Sequence, residues 1–419
     1  MSNRISQNVY FNKTWYIFTL LYLIVDYARP HDVIPAISFI HPSMIISIIL
    51  IGYLIFSGQL RMVKGKQLVI IYLFIVLLAI HVPFARNNFR AFNTTKGMLL
   101  YLPFILSCVI LLNNIEKLKQ LIFILNLLMI WIAIYGLLHA GKGPGNFLGD
   151  ENDLALFLNL WLPFGFFLYT VEKNKLRKIL FLIGLIIGVL GVVTSFSRGG
   201  FVGLALMMIV AWLFSKQKIK SLIIIGILAF LVYQFGGTKY VNEMETITNT
   251  EESTARQRIW SWQASWNMFK HNPLGVGGNN FQVRFPEYQP PEFKRAMWGR
   301  VAHSLWFTLL PELGIFGVIL YFWLLFYNFQ DLFQIKSITK RLVSDEDFNY
   351  IQQISRAFMA SIAGFLASGT FLSVLYYPHF WYLTAFILVT ANVTRNLLYE
   401  KLFSSEESLE ASPLVDGVN

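Results

Sequence analysis

The stretch RKILFLIGLIIGVLGVVTSFSRGGFVGLALMMIVAWLF, residues 177–214, decides the fold. Two apolar runs, 177–194 and 200–214, flank a short turn holding Ser195, Ser197, Arg198, Gly199 and Gly200. Runs of this kind recur along most of the chain, many near the roughly 17–25 residues that carry a helix across a bilayer. In lipid the backbone must satisfy its own hydrogen bonds, so such runs predict helices. The sequence therefore predicts an all-α polytopic membrane protein.

Working outward, twelve spans are expected, at about 14–28, 38–56, 67–85, 97–112, 119–139, 153–171, 177–194, 200–214, 219–235, 303–329, 354–375 and 378–396. They make one transmembrane bundle over 1–402. It includes a large extracytoplasmic loop with short helices at 236–302, between the ninth and tenth spans. Residues 403–419 are acidic and polar and read as a disordered tail. The composition agrees: 56% of the 419 residues are hydrophobic and 14% charged, where soluble domains carry nearer a quarter charged. Mean hydropathy is +0.55.

The net charge of +11 does not imply nucleic acid, because lysine and arginine concentrate in cytoplasmic loops of membrane proteins. With a cytoplasmic N-terminus, inner loops hold fifteen Lys and Arg, and short outer loops hold six. Both termini are then cytoplasmic. Arg86, Arg90 and Lys96 form an exception on the outer side. One cysteine, Cys108, excludes an intramolecular disulfide and a cysteine metal cluster. There is no His-Glu-x-x-His, and Asp345-Glu346-Asp347 reads as a solvated charge run in an inner linker, so no metal or cofactor is expected.

Four constellations fall on the outer side. Arg198 sits at a membrane boundary, where a charge is costly and marks a candidate site. It could snorkel to the interface instead. The glycines beside it allow close backbone approach, and the following helix N-terminus favours anions. In STARQRIWSWQASWNMFKHNPLGVGGNNF, residues 253–281, Arg258, Trp262 and Trp266 are spaced by four and share a helix face. That face could lie on the membrane, or present aromatic rings and a guanidinium to a lipid or sugar. The GVGG lacks the strand-loop-helix setting of a nucleotide loop. His303, in VAHSLWFTLLPELGIFG at 301–317, is either structural or a general base. Asp150, Glu151, Asn152 and Asp153 start a helix; they either cap it or form a polar patch contacting an acceptor hydroxyl.

These motifs, in this order, resemble the bacterial O-antigen ligase and polymerase superfamily. The resemblance rests on Ser-Arg-Gly at 197–199, Arg258 four residues before Trp262, NPLGVGGNNF at 272–281 and AHSLWFTLLPELGIFG at 302–317. GDENDLALFLNLWLP, 149–163, looks like the family's upstream segment. The strong likeness covers about 195–320. It implies a C-type glycosyltransferase-like bundle that takes a glycan from an undecaprenyl-diphosphate carrier at the outer face of the inner membrane. Ligases pass the glycan to lipid A-core, polymerases to another carrier-linked repeat, and related members to protein hydroxyls. Carried over by residue, Arg198 and Arg258 contact the diphosphate, with Arg256 as the alternative two positions away, and His303 is the base. Ser197, Asn152, Asp153, Trp262 and Glu312 supply acceptor or supporting contacts. Ser304 stands where the family usually has Asn. The reaction implied is metal-independent and inverting. A rival reading, a lipid-glycan flippase, calls for charges at mid-membrane and broken central helices; the polar features here cluster at the outer side.

Overall fold

A computed structural model of the chain describes residues 2–245, 253–291 and 298–410. Among the described residues there are helices and no strands. In order they are α1 (Ser2–Ala28), α2 (Pro30–Val33), α3 (Pro42–Phe56), α4 (Lys66–His81), α5 (Asn88–Leu111), α6 (Ile115–Leu138), α7 (Glu151–Leu168), α8 (Lys175–Thr194), α9 (Arg198–Phe214), α10 (Lys218–Glu245), α11 (Ser253–His271), α12 (Phe281–Tyr288), α13 (Leu305–Arg341), α14 (Glu346–Gly369) and α15 (Pro378–Glu410).

Each of the twelve expected stretches falls on one of these helices. Five described helices are long and apolar enough to cross a bilayer: α4 with the turn after it, α5, α6, α8 and α13. Among the rest, α3, α9 and α14 fall short for readable reasons. α3 and α9 have 15 and 17 residues. At ~1.5 Å per residue they reach about 23 and 26 Å, below the ~30 Å hydrocarbon thickness. α14 carries Gln352, Gln353 and Ser355 buried inside the protein. Several boundaries also differ from the sequence reading: α1, α5 and α14 start earlier, at Ser2, Asn88 and Glu346, and α13 runs on to Arg341. α10 runs ten residues beyond the expected span end at 235, and α15 continues to Glu410, so the backbone of 403–410 is helical. Residues 411–419 of the expected disordered tail lie outside the described residues.

α7 is the hub. Every side chain from Asp153 to Leu168 is buried, and α6, α8, α9 and α14 pack around it. Small residues on α8 let it approach: a methyl group on Gly188 or Gly191 would press on Leu162 or Leu158 of α7. A second knot of buried rings joins α1, α5 and α15 through Tyr22, Phe104 and Tyr382, with Tyr22 stacked on Phe104 at 4.8 Å.

The loops sort to two ends. At one, Lys119 bonds Asp347 at 2.8 Å, Lys173 pairs with Glu346, and Lys401 pairs with Asp345. The 345–347 triplet thus caps α14 and gathers lysines from α6, the α7–α8 connection and α15. At the other end the turn before α9 meets α7, the α14–α15 connection and, through it, α11.

Candidate active site at one end of the bundle

The turn between α8 and α9 is built by its serines. Ser195 donates to the Val192 carbonyl at 2.7 Å and accepts from the Ser197 amide at 3.2 Å. Phe196 takes a left-handed conformation, φ +50°. Ser197 then caps α9, accepting from the Gly200 amide at 2.9 Å, and donates to Asn152 Oδ1 at 2.7 Å. Asn152 is itself held by Asp150, the cap of α7, through two 2.8 Å bonds. Two helix N-termini therefore lie side by side, with Arg198 as the first residue of α9. Asp153 is buried and accepts from Tyr377 at 3.2 Å. Gly199 lies against Phe371, where a methyl group would sit 3.2 Å from its Cβ.

Across this end, α11 is pinned to the start of α13. Trp262 donates its indole N–H to the Ala302 carbonyl at 3.0 Å and stacks on Phe307, with centroids 5.2 Å apart. Ser265 donates to the Phe307 carbonyl at 2.6 Å. Trp262 also lies 6.5 Å from Phe371, the ring that covers Gly199. His303 follows Ala302 in a left-handed conformation, φ +48°. Ser304, wholly buried, caps α13 and accepts from the Phe307 amide at 3.4 Å.

His303 feels the site's charges. Burial pushes its imidazole down, Arg258 and Arg300 push it further, to about 4, and Asp150 opposes them. The structure thus brings Arg258, His303 and the α7 cap into one electrostatic neighbourhood, and links the Arg198 turn to it through Asn152 and Phe371. Arg256, two positions along α11, is exposed and is not among the charges acting on His303. Arg300 is a residue the sequence reading missed. Its Nε is buried without a hydrogen-bond partner, and burial lowers the guanidinium's pKa. A lone arginine in a loop gives no periodic signal; its one clue was lying three residues before His303.

The glycine motifs serve construction. α13 breaks at Gly314, φ +61° and ψ −161°. Residues 273–277 close the break: Val276 and Gly277 amides donate to the Pro311 and Glu312 carbonyls at 2.9 and 2.8 Å, and Ile315 donates to Pro273 at 3.0 Å. Glu312, 2% exposed, accepts from the Asn279 and Phe281 amides at 2.8 and 3.1 Å and from the Tyr376 hydroxyl at 2.7 Å. Its carboxylate is thus occupied in holding the loop. The same docking engages Arg86 and Arg90, two of the three residues that break the charge pattern of the loops. Arg86 pairs with Glu287, Arg90 donates to Gln282 at 2.7 Å, and the Asn280 side chain bonds both backbone groups of Asn87.

Beside the site, α11 and α13 enclose an apolar groove of about 640 Å³, lined by Ile259, Trp262, Trp266, Trp306, Phe307 and Phe322. Among the described residues, no three His, Cys, Asp or Glu side chains come together to hold a metal ion. The arrangement combines guanidinium donors, a neutral imidazole and a greasy groove opening from them.

Residues 183–322 match the O-antigen ligase family, a segment that runs from α8 into α13 and includes Arg198, Arg258, His303 and Glu312. No curated protein matches the chain.

Proposed function

We propose that this chain, whose residues 183–322 match the O-antigen ligase family, moves a glycan from an undecaprenyl-diphosphate carrier to an acceptor hydroxyl. The reading is of ligase type, with lipid A-core as acceptor, at the outer face of the inner membrane. The lysine and arginine bias of the loops supports that orientation. The observation that carries the proposal is the continuity of the site: Arg258 and Arg300 flank His303, and Trp262, one turn along from Arg258, lines an apolar groove. A diphosphate joined to an isoprenoid chain has that same division into anionic head and apolar tail.

In the proposed step, the acceptor oxygen attacks the anomeric carbon from the face opposite the diphosphate. Its bond forms as the bond from carbon to phosphate oxygen breaks, and the sugar inverts. The electron pair leaves with the carrier diphosphate, whose growing charge Arg198 and Arg258 hold through bidentate hydrogen bonds. The hydroxyl proton passes to His303, which burial and its cationic neighbours keep neutral. Ser197, Asn152 and Asp153 order the acceptor side by fixing the α7 and α9 N-termini. The break in α13 lies near the site end and is filled by protein backbone, which favours an enzyme over a flippase.

The test uses purified chain, a carrier-linked glycan and candidate acceptors, with product identified by mass. Wild type should transfer, while Arg198→Ala, Arg258→Ala and His303→Ala should lose turnover, His303→Ala retaining donor binding. Full activity in all three variants would remove the site. Product mass separates a lipid A-core conjugate from a lengthened carrier-linked glycan or a glycosylated protein.

A further inference from the structure

At the opposite end of the bundle, about 22 Å along α4 from His81 at ~1.5 Å per residue, α4 starts without a cap. Gly65 precedes it, and no side chain accepts from its first amides. A Cβ there would come 2.6 Å from a methyl of Leu388 on α15, which would have to shift. The uncapped start therefore presents backbone N–H groups and the positive end of the helix dipole.

It opens on a polar cleft of about 610 Å³ between α4, α13 and α15, lined by Lys64, Lys66, Gln330, Gln334, Asn392 and Arg395. The one acid at its wall, Asp331, is 9% exposed and tied to Gln67 at 2.7 Å. Lys66 sits 3.4 Å from Gln330 and over the Tyr327 ring, and Arg395 donates to Asn392 at 2.9 Å and Gln334 at 3.4 Å. These hydrogen-bond and ring partners are neutral, and Asp331 is the carboxylate whose field reaches Lys66 and Arg395. Three cations against one acid, plus a helix N-terminus, make an anion site. Phe326 and Phe333, one turn either side of Gln330 on α13, are 59% and 55% exposed. They offer an apolar track beside the cleft.

We infer that this cleft binds a phosphate group, carried by an anionic phospholipid headgroup or as free phosphate. Lys66, Arg395 and the first amides of α4 take the oxygens. This site stands apart from the proposed transfer reaction and does not depend on it.

The experiment uses the full chain in detergent, with phosphatidylglycerol, diacylglycerol or inorganic phosphate added, and reads bound ligand by native mass spectrometry and melting temperature. Wild type should retain phosphatidylglycerol, or bind inorganic phosphate, and melt higher with it. Lys66→Gln/Arg395→Gln should weaken that binding about tenfold or more, as loss of charge-assisted hydrogen bonds predicts. Gln334→Glu, which places a carboxylate in the cleft without removing a cation, should weaken it too and covers the case of a misfolded double variant. Lys173→Gln, at the same end but outside the cleft, should leave it unchanged. Retention of phosphatidylglycerol alone identifies the lipid as source; binding of inorganic phosphate alone identifies the free ion. Equal retention of diacylglycerol, binding of neither phosphate source, or unaltered binding in the variants would overturn the inference.

Discussion

Gly314→Ala should unfasten the junction between α13 and the 272–281 loop. The backbone there, φ +61° and ψ −161°, lies in a region essentially reserved for glycine. Holding alanine in it costs about 1–3 kcal/mol. There is no room either: the methyl would overlap the Leu274 carbonyl carbon and Pro273 oxygen and lie 2.6 Å from the Gly275 nitrogen. Those atoms are backbone and cannot rotate away, so the loop must move. Three hydrogen bonds go with it, those of Val276, Gly277 and Ile315, at roughly 0.5–1.5 kcal/mol each. The sum is about 3–7 kcal/mol, a large part of the ~5–15 kcal/mol that holds a protein folded. Thermal melting in detergent, with hydrogen exchange over 272–281, reads it. Gly97→Ala and Gly226→Ala are controls, since a methyl at either meets nothing within 4 Å. They should match wild type or gain up to ~1 kcal/mol in helix propensity. Were Gly314→Ala to melt with these controls and keep its Val276 and Gly277 amides protected, the loop would not be what closes the break.

Three further outcomes follow from the site end. His303 is held neutral down to about pH 4, so kcat/KM should stay level from pH 8 to 5 and fall below that. Arg300→Gln removes a positive charge that disfavours imidazolium, so the acid limb should move to higher pH; an unmoved limb would place Arg300 outside the reach of His303. Asn280, wholly buried, bonds the Asn87 amide and carbonyl at 2.8 and 3.2 Å. Asn280→Ala should cost about 1–3 kcal/mol by stranding those groups and speed exchange at the start of α5; unchanged exchange there would detach the loop from α5.

What the sequence makes legible is local. Apolar runs of helical length fall on helices because hydropathy acts over consecutive residues. The turn at 195–198 is readable for the same reason, and the Ser197 cap the structure adds there is equally local, with cap and capped amide three residues apart. The rest depends on partners far along the chain. Arg86 and Arg90 break the charge pattern of the loops, and their partners Glu287 and Gln282 lie about two hundred residues away. NPLGVGG and PELGIFG read as two motifs, yet they form one joint, with the amides of the first satisfying the carbonyls freed in the second. Glu312 carries the same lesson. A carboxylate in a motif suggests chemistry, and here three donors from the loop and Tyr376 converge on it.

The electrostatics of His303 bind the proposed reaction into a sequence of events. Burial alone depresses the imidazole, and Arg258 and Arg300 depress it further. A base with a pKa near 4 is reliably unprotonated but has little affinity for the acceptor's proton. In the proposed step a diphosphate seated on Arg198 and Arg258 brings negative charge beside the cations that weaken the base. Its arrival therefore raises the proton affinity of His303. In the proposed reaction, the site without donor holds a weak base beside Arg258 and Arg300, which is poor at activating a stray water. In the proposed reaction, the same histidine becomes competent once donor is bound. Specificity for transfer over hydrolysis then follows from the order in which charges meet, and Arg300 matters because it sets how far the base is held down beforehand.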